Sequence, residues 1–352
     1  MPIIDADCHV IESEQAWEYL DPADQQYKPT SMFDPNRPDR PVWIIDGKER
    51  QRPFATRGTG SAAEQLSGFS ETSQATRTLA DITARLAHMD ELGVDVQVLF
   101  PTIFLTRISE NPVVELALTK SYNRWLADIW AEGGGRLRWA VVPPLDSMDE
   151  VEGQLRYGKE HGACAVFMRG FEGDRRLVDS YFDPLYEAAQ EYDMPVCIHA
   201  GCGNPAFVGL TEADAYSRNK LPIISAFHSM MYRGLWQRFP RLRAGFIEGA
   251  ANWVPYIINE VQHRARRDGN GFDSDNLMAD SRMYVTCQTN DDLPYIFANA
   301  SEDNFVIGSD YGHSDTSSEL EALKSLKSSG LLEPRVVDKV LSDNPARLYA
   351  ID

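Results

Sequence analysis

Asp7 and His9 stand two residues apart at the end of the apolar run Pro2-Ile3-Ile4-Asp5-Ala6, and Glu12 follows at once. A carboxylate and an imidazole with this spacing on an extended chain point to the same side, as two ligands of one metal ion must. The same residue types recur where three later apolar runs end: His199 after Met194 to Ile198, Glu248 after Arg243 to Ile247, and Asp310 after Phe305 to Ser309. Taken singly, each is equally compatible with a satisfied core histidine or a turn-capping aspartate. Four strand ends that agree point to one shared site. Asp7, His9, His199 and Asp310 offer two imidazoles and two carboxylates, a set that suits Zn²⁺, Mn²⁺ or Fe²⁺ better than the oxygen-seeking Ca²⁺ or Mg²⁺.

Further polar residues could complete such a site. His228 lies off the strands in an inserted segment and is a candidate mobile acid or base. Glu12 and Glu248 either orient a ligating imidazole or, with His228, hold a second metal. Arg169, at another strand end, is placed to grip a substrate carboxylate or to form an ion pair with Glu248 or Asp310. His313 could orient substrate or cap the next turn. His88, His161 and His263 fall on predicted helices and are assigned to surface or packing, and Trp17 and Trp253 to packing at the rim.

Positioning these residues requires strands that alternate with helices. From Asp81 the stripe Ile82, Leu86, Met89 predicts a helix ended by Gly93, and Asn111-Pro112 opens another. Ser147 to Glu150 has capping-box spacing, and Asp183-Pro184 opens a further helix. Between them lie eight runs apolar on both faces, as parallel strands covered by helices must be. The candidate ligands follow the first and last of these, which only closure brings together. The fold predicted is therefore a (β/α)8 TIM barrel, one domain over residues 1–352, with its site at the C-terminal rim. Insertions at about 25–73 and 201–239 are expected to cover that rim, the first with a small hairpin at Val42 to Lys48.

Composition narrows the classes. With 352 residues, a net charge of -19 and no compensating basic cluster, a nucleic-acid or anionic-membrane partner is disfavoured. No apolar stretch has the length of a spanning helix and no signal-type leader precedes the first strand, so a cytoplasmic location is expected. Five cysteines without a C-x-x-C pair argue for reduced, buried thiols.

Several stretches jointly resemble the amidohydrolase-related barrel enzymes that include aminocarboxymuconate semialdehyde decarboxylase and the resorcylate and carboxyvanillate decarboxylases. They are Asp5-Ala6-Asp7-Cys8-His9-Val10-Ile11-Glu12, Ala87 to Asp95, Pro195-Val196-Cys197-Ile198-His199, Arg238 to Arg243 leading to Glu248-Gly249-Ala250, Gly308-Ser309-Asp310-Tyr311-Gly312-His313, and Asn344-Pro345-Ala346-Arg347-Leu348-Tyr349. They span nearly the whole chain. The resemblance implies a metal held at Asp7, His9, His199 and Asp310, with His228 as acid or base and Asp310 sharing that role. It differs from the frequent H-x-H opening in having Asp7 first, and the added negative charge favours Mn²⁺ or Fe²⁺ over Zn²⁺. The activity implied is decarboxylation or hydrolysis of a small organic acid. A similar branch with the same Asp-x-His-x-x-Glu opening contains dinuclear non-haem oxygenases, for which Glu12, His228 and Glu248 would be the extra ligands. A non-catalytic metal-binding subunit paired with a paralogous chain is a third reading, and a homo-oligomer is expected by analogy.

Overall fold

Eight short strands make one parallel sheet: β1 (Ile4–His9), β2 (Val96–Phe100), β3 (Leu137–Val141), β4 (Ala163–Arg169), β5 (Val196–His199), β6 (Ala244–Ile247), β7 (Met283–Cys287) and β8 (Phe305–Ile307). In the computed structural model, residues 2–34, 37–51, 72–211, 214–269, 276–313 and 316–351 are described. The strands are buried on both faces, which is why no alternation of polar and apolar residues marks them. Each is followed by helix, among them α1 (Ile82–Leu92), α2 (Pro112–Glu132), α3 (Met148–Glu160), α4 (Asp183–Glu191), α5 (Leu221–Tyr232) and α6 (Val254–Asp268). The local signals act as their chemistry dictates. Asp81 Oδ1 accepts from Ala84 N at 2.8 Å, Asn111 Oδ1 accepts from Val113 N at 3.1 Å, and Gly93 ends α1 at φ 69°. Ser147 is an exception: it precedes α3 but its hydroxyl makes no capping bond.

The sheet closes between its first and last strands, and the closure is made by backbone. Asp310 N donates to Asp7 O at 2.9 Å and His9 N to Tyr311 O at 2.7 Å. The C-terminal stretch Asn344 to Tyr349 holds both strands from outside. Asn344 Nδ2 donates to Phe305 O at 2.7 Å, and Tyr349 Oη donates to Ala6 O at 2.7 Å. A buried cation reinforces the seam: Arg85 Nε donates to Gln97 Oε1 at 2.7 Å and its guanidinium lies 3.5 Å above the Tyr311 ring. Asp5 serves the same seam, accepting from Ser309 N at 2.8 Å and Ser309 Oγ at 2.6 Å.

The first insertion contains the expected hairpin, with strands Arg37–Ile45 and Lys48–Gln51 joined through Asp46 and Gly47 at φ 51° and 69°. Trp43 of that hairpin packs edge-on against Trp17 at 6.1 Å, so rim packing for Trp17 agrees with its buried position. Residues 52–71 of the insertion lie outside the described residues. All five cysteines are free and buried. Among the described residues no helix is long and apolar enough to cross a membrane.

One buried carboxyl gives stability a pH dependence. Glu115, in the first turn of α2, accepts from Asp146 N at 2.8 Å, yet burial, with the Asp146 charge nearby, pushes its carboxyl up to about 7. The folded chain then keeps a proton that the unfolded chain has released above its ordinary value near 4.5, so stability falls as pH rises from about 4.5 through about 7. Glu115→Gln keeps the acceptor and removes the charge. In urea denaturation the variant is expected to match wild type near pH 4.5 and to exceed it by up to roughly 3 kcal/mol above pH 7. Parallel stability curves for the two proteins would contradict this.

Candidate metal centre

Closure sets Asp7 and His9 of β1 beside Asp310, three residues past the end of β8, and His199 ends β5 across the barrel. Asp7, His9 and His199 form one tight group, and His9, Glu248, Asp310 and His313 form another, each with potential ligand atoms within 4.8 Å of one another. Every one of these residues is buried.

The hydrogen bonds fix where the imidazole protons lie. His9 Nδ1 is 3.1 Å from Pro101 O, and His199 Nδ1 is 3.1 Å from Ala200 O. A carbonyl can only accept, so both Nδ1 atoms carry hydrogen, and in the neutral rings both Nε2 atoms then present lone pairs. Those two Nε2 atoms face each other at 3.1 Å. Asp7 Oδ1 lies 3.2 Å from His199 Nε2 and 3.8 Å from His9 Nε2, and Asp310 Oδ1 lies 3.5 Å from His9 Nε2. With both rings neutral, the cluster consists of acceptors, two imidazole nitrogens and two carboxylate oxygens, turned toward one another. Burial, followed by the neighbouring His313 and His199, holds the His9 pKa well below its ordinary value, which keeps its Nε2 lone pair available. The rings of Phe100 and Phe167 pack on His199 at 5.0 and 6.1 Å and exclude water from this side. Acceptors held together in an apolar wall repel unless a cation sits among them, so the donor set fits a divalent transition metal.

A second proton argument applies to Asp310. Thr102 Oγ1 donates its only hydrogen to Val10 O at 2.6 Å, so at 3.0 Å it must accept from His313 Nε2–H. The other ring nitrogen, Nδ1, is 3.0 Å from Asp310 Oδ1. A neutral His313 would meet the carboxylate there with a lone pair. A protonated His313 would instead form an ion pair with Asp310 there. Ser318 Oγ donates to Asp310 Oδ2 at 2.5 Å and His313 stacks on His9 with centroids 3.6 Å apart, so the pair is held rigidly.

Strain marks the same rim. Glu248 and Asp310 both adopt left-handed backbone, at φ 64° and 53°. That conformation costs of order 1–3 kcal/mol for a residue with a side chain and concentrates at functional sites.

Other expected residues are placed differently. Glu12 is not turned to the cluster: its two oxygens accept from Thr102 N at 2.9 Å and Ile103 N at 3.0 Å, anchoring the loop after β2, while burial pushes its carboxyl up to about 7. Glu248 Oε2 lies 3.6 Å from His199 Nδ1, behind the ring, consistent with an orienting role. His228 is not brought to either group. It stacks on Tyr232 at 5.7 Å and feels Arg264 and Glu260 of α6, because the face of α5 bearing Ile223, Phe227 and Met230 is the one buried. Burial first and Arg264 second lower its pKa. Arg169 pairs with neither Glu248 nor Asp310. Its Nε contacts both Glu172 oxygens at 3.0 and 2.9 Å, its Nη2 contacts one at 2.6 Å, and its Nη1 donates to Phe104 O at 2.9 Å. The two-strand turn at Phe171–Glu172 and Arg175–Arg176 delivers that partner, and the three-residue spacing of Arg169 and Glu172 is its trace in the sequence. Thr102 and Ser318 carried no signal in the sequence. His161 bonds its own helix at Tyr157 O, His263 is exposed, and His88 contacts the seam residue Tyr311 at 2.9 Å.

Gly308 lets β8 approach β1. A Cβ at this position would lie 2.2 Å from Asp7 Cβ and 2.7 Å from Asp7 N. Gly308→Ala is expected to lower stability by about 1–3 kcal/mol and to abolish stoichiometric metal uptake, read by denaturation and by elemental analysis. Full metal content with native stability would refute the close-approach argument.

Solved structures share this architecture. An amidohydrolase from Mycobacterium avium subsp. paratuberculosis K-10 superposes with a TM-score of 0.79 at 19% identity, over 99% of each chain. The 5-carboxyvanillate decarboxylase of Sphingomonas paucimobilis gives 0.71 at 15% identity, over 100% of each chain. The 5-carboxyvanillate decarboxylase of Novosphingobium aromaticivorans, complexed with manganese and 4-hydroxy-3-methoxy-5-nitrobenzoic acid, gives 0.64 at 17% identity, over 84% of this chain and 85% of that one. No curated protein matches the sequence. These likenesses establish the (β/α)8 fold, and the match of residues 4–351 to the amidohydrolase family model adds the lineage: the chain belongs to the amidohydrolase family.

Proposed function

We propose that this protein is a metal-dependent decarboxylase of a small aromatic or unsaturated carboxylic acid. The observation that carries the reading is the placement of His313 Nδ1 3.0 Å from Asp310 Oδ1, an acid–base pair next to the buried cluster of Asp7, His9 and His199. Hydrolysis by attack of water needs a free base at this position, whereas loss of carbon dioxide needs an acid. A divalent ion held at Asp7, His9, His199 and Asp310 would supply a Lewis acid that withdraws electron density from a bound substrate oxygen. The chain's residues supply the rest. His9 and His199 are kept in the correct tautomer by Pro101 O and Ala200 O. As the carbon–carboxylate bond breaks and carbon dioxide leaves, the electron pair remains on carbon, and the His313–Asp310 pair, when protonated, would deliver its proton there. Phe100 and Phe167 limit access of water to that carbon.

Manganese in a decarboxylase of the same fold and the carboxylate-rich donor set favour Mn²⁺ over Zn²⁺, with Fe²⁺ as the alternative. The dinuclear oxygenase reading gains no support. Its extra ligands were to be Glu12, His228 and Glu248. Glu12 is spent on backbone amides, His228 faces α6, and His9 belongs to both ligand groups.

Elemental analysis of the purified chain is expected to find about one transition metal per chain, lost in Asp310→Ala. The manganese-loaded protein is expected to release carbon dioxide from a member of a panel of hydroxybenzoates and unsaturated diacids. His313→Gln should retain the metal and lower kcat by roughly 10²- to 10⁴-fold. Two metals per chain with iron and oxygen uptake would transfer the assignment to oxygen chemistry, and no bound metal in any form would remove its basis.

A further inference from the structure

An acid substrate entering this rim meets Asp7, Glu248 and Asp310, all buried, so a cation besides the metal is needed to offset its charge. Arg169, the expected anchor, is occupied by Glu172 on two of its nitrogens. Lys220 is the alternative. It precedes α5, in the segment 219–223 that is seated on the glycines following three strand ends. Gly201 N, after β5, donates to Asn219 O at 3.2 Å. A Cβ on Gly170, after β4, would lie 2.2 Å from Pro222, and one on Gly249, after β6, 3.3 Å from Ile223. The segment is thus laid directly over the C-terminal end of the barrel.

From there the lysine reaches toward the loop after β8. Its Nζ donates to Ser317 Oγ at 3.0 Å, and the next residue, Ser318, donates to Asp310 Oδ2 at 2.5 Å. Its charge also acts on Asp291, in the loop after β7. Among the described residues no carboxylate lies within ion-pair distance of Nζ, and its hydrogen-bond partner is a neutral hydroxyl. Half-buried and, among the described residues, without a carboxylate at ion-pair distance, this ammonium stands one residue away from the group that orients Asp310.

We propose that Lys220 binds the carboxylate of the substrate at the rim, and thereby selects acids over neutral analogues. The inference rests on the acid-substrate reading above. An ammonium whose partner is a hydroxyl can exchange it for a carboxylate and gain a charge-assisted bond, whereas the Arg169 guanidinium would have to abandon one.

The test uses the manganese-loaded full chain and 2,6-dihydroxybenzoate with its neutral amide as probes, titrated by calorimetry, alongside a panel of other mono- and dicarboxylates. Lys220→Met is expected to weaken carboxylate binding roughly 10- to 100-fold, to leave the affinity for the amide within about twofold, and to leave the affinity for manganese unchanged. Lys220→Arg is expected to recover most of the carboxylate affinity. If Lys220→Met binds the carboxylate as wild type does, or loses manganese together with the probe, the anchor role is overturned, the latter result showing that Lys220 acts only by holding the Ser317–Ser318 loop. If wild type binds no carboxylate of the panel, the acid-substrate reading falls, and the anchor with it.

Discussion

The seam between β1 and β8 is the constraint on which the candidate site depends. Asp7 and His9 reach Asp310 across about three hundred residues of chain, and two backbone hydrogen bonds, Asp310 N to Asp7 O and His9 N to Tyr311 O, set their spacing. These bonds involve the candidate ligand residues themselves or an immediate neighbour. Anything that shifts the strand register therefore shifts the ligands by the same amount. This accounts for the reinforcement found there: Gly308 without a side chain, Asn344 and Tyr349 tying the two strands from outside, and Arg85 and Asp5 buried beside them. A buried guanidinium and a buried carboxylate are costly in an apolar wall. Their hydrogen bonds to Gln97 and Ser309 offset that cost and hold β2 and the residue before Asp310 in place.

Electrostatics follow from the same geometry. The backbone carbonyls at Pro101 and Ala200 take the Nδ1 hydrogens, and Thr102 takes the Nε2 hydrogen of His313. These fixed partners orient the rings: in neutral imidazoles they turn lone pairs at the two Nε2 atoms toward each other, and they set His313 Nδ1 against Asp310 Oδ1. The chain thus places a cluster where a cation belongs beside an acid–base pair. The left-handed backbone at Glu248 and Asp310 fits this division, because both side chains must leave the strand direction to reach the rim.

The departures from expectation share one cause. Residue type is visible in a sequence, but the direction of a side chain depends on what packs around it. His228 has the right chemistry and lies in the right insertion, yet its helix buries the face bearing Phe227 against Phe246 and Trp253 and turns His228 toward α6. Arg169 ends a strand as expected, but a local turn supplies Glu172 before any substrate could compete. Glu12 follows the ligand motif, but two adjacent amides after β2 accommodate both its oxygens. Each is a local competition that spacing to the other ligands does not reveal.

By itself the sequence determined the order of eight buried strands and their helices, because burial on both faces requires long apolar runs and capping residues act over a few positions. It also determined that Asp7, His9, His199 and Asp310 stand at strand ends, which a closed barrel must bring to one rim. Only the tertiary structure decided which imidazole nitrogens face backbone carbonyls, that His313 lies against Asp310, and that, among the described residues, Arg169 and not Lys220 has a carboxylate partner. Those outcomes rest on hydrogen bonds between residues remote in the chain, whose distances are set by packing and leave no periodic trace in the sequence.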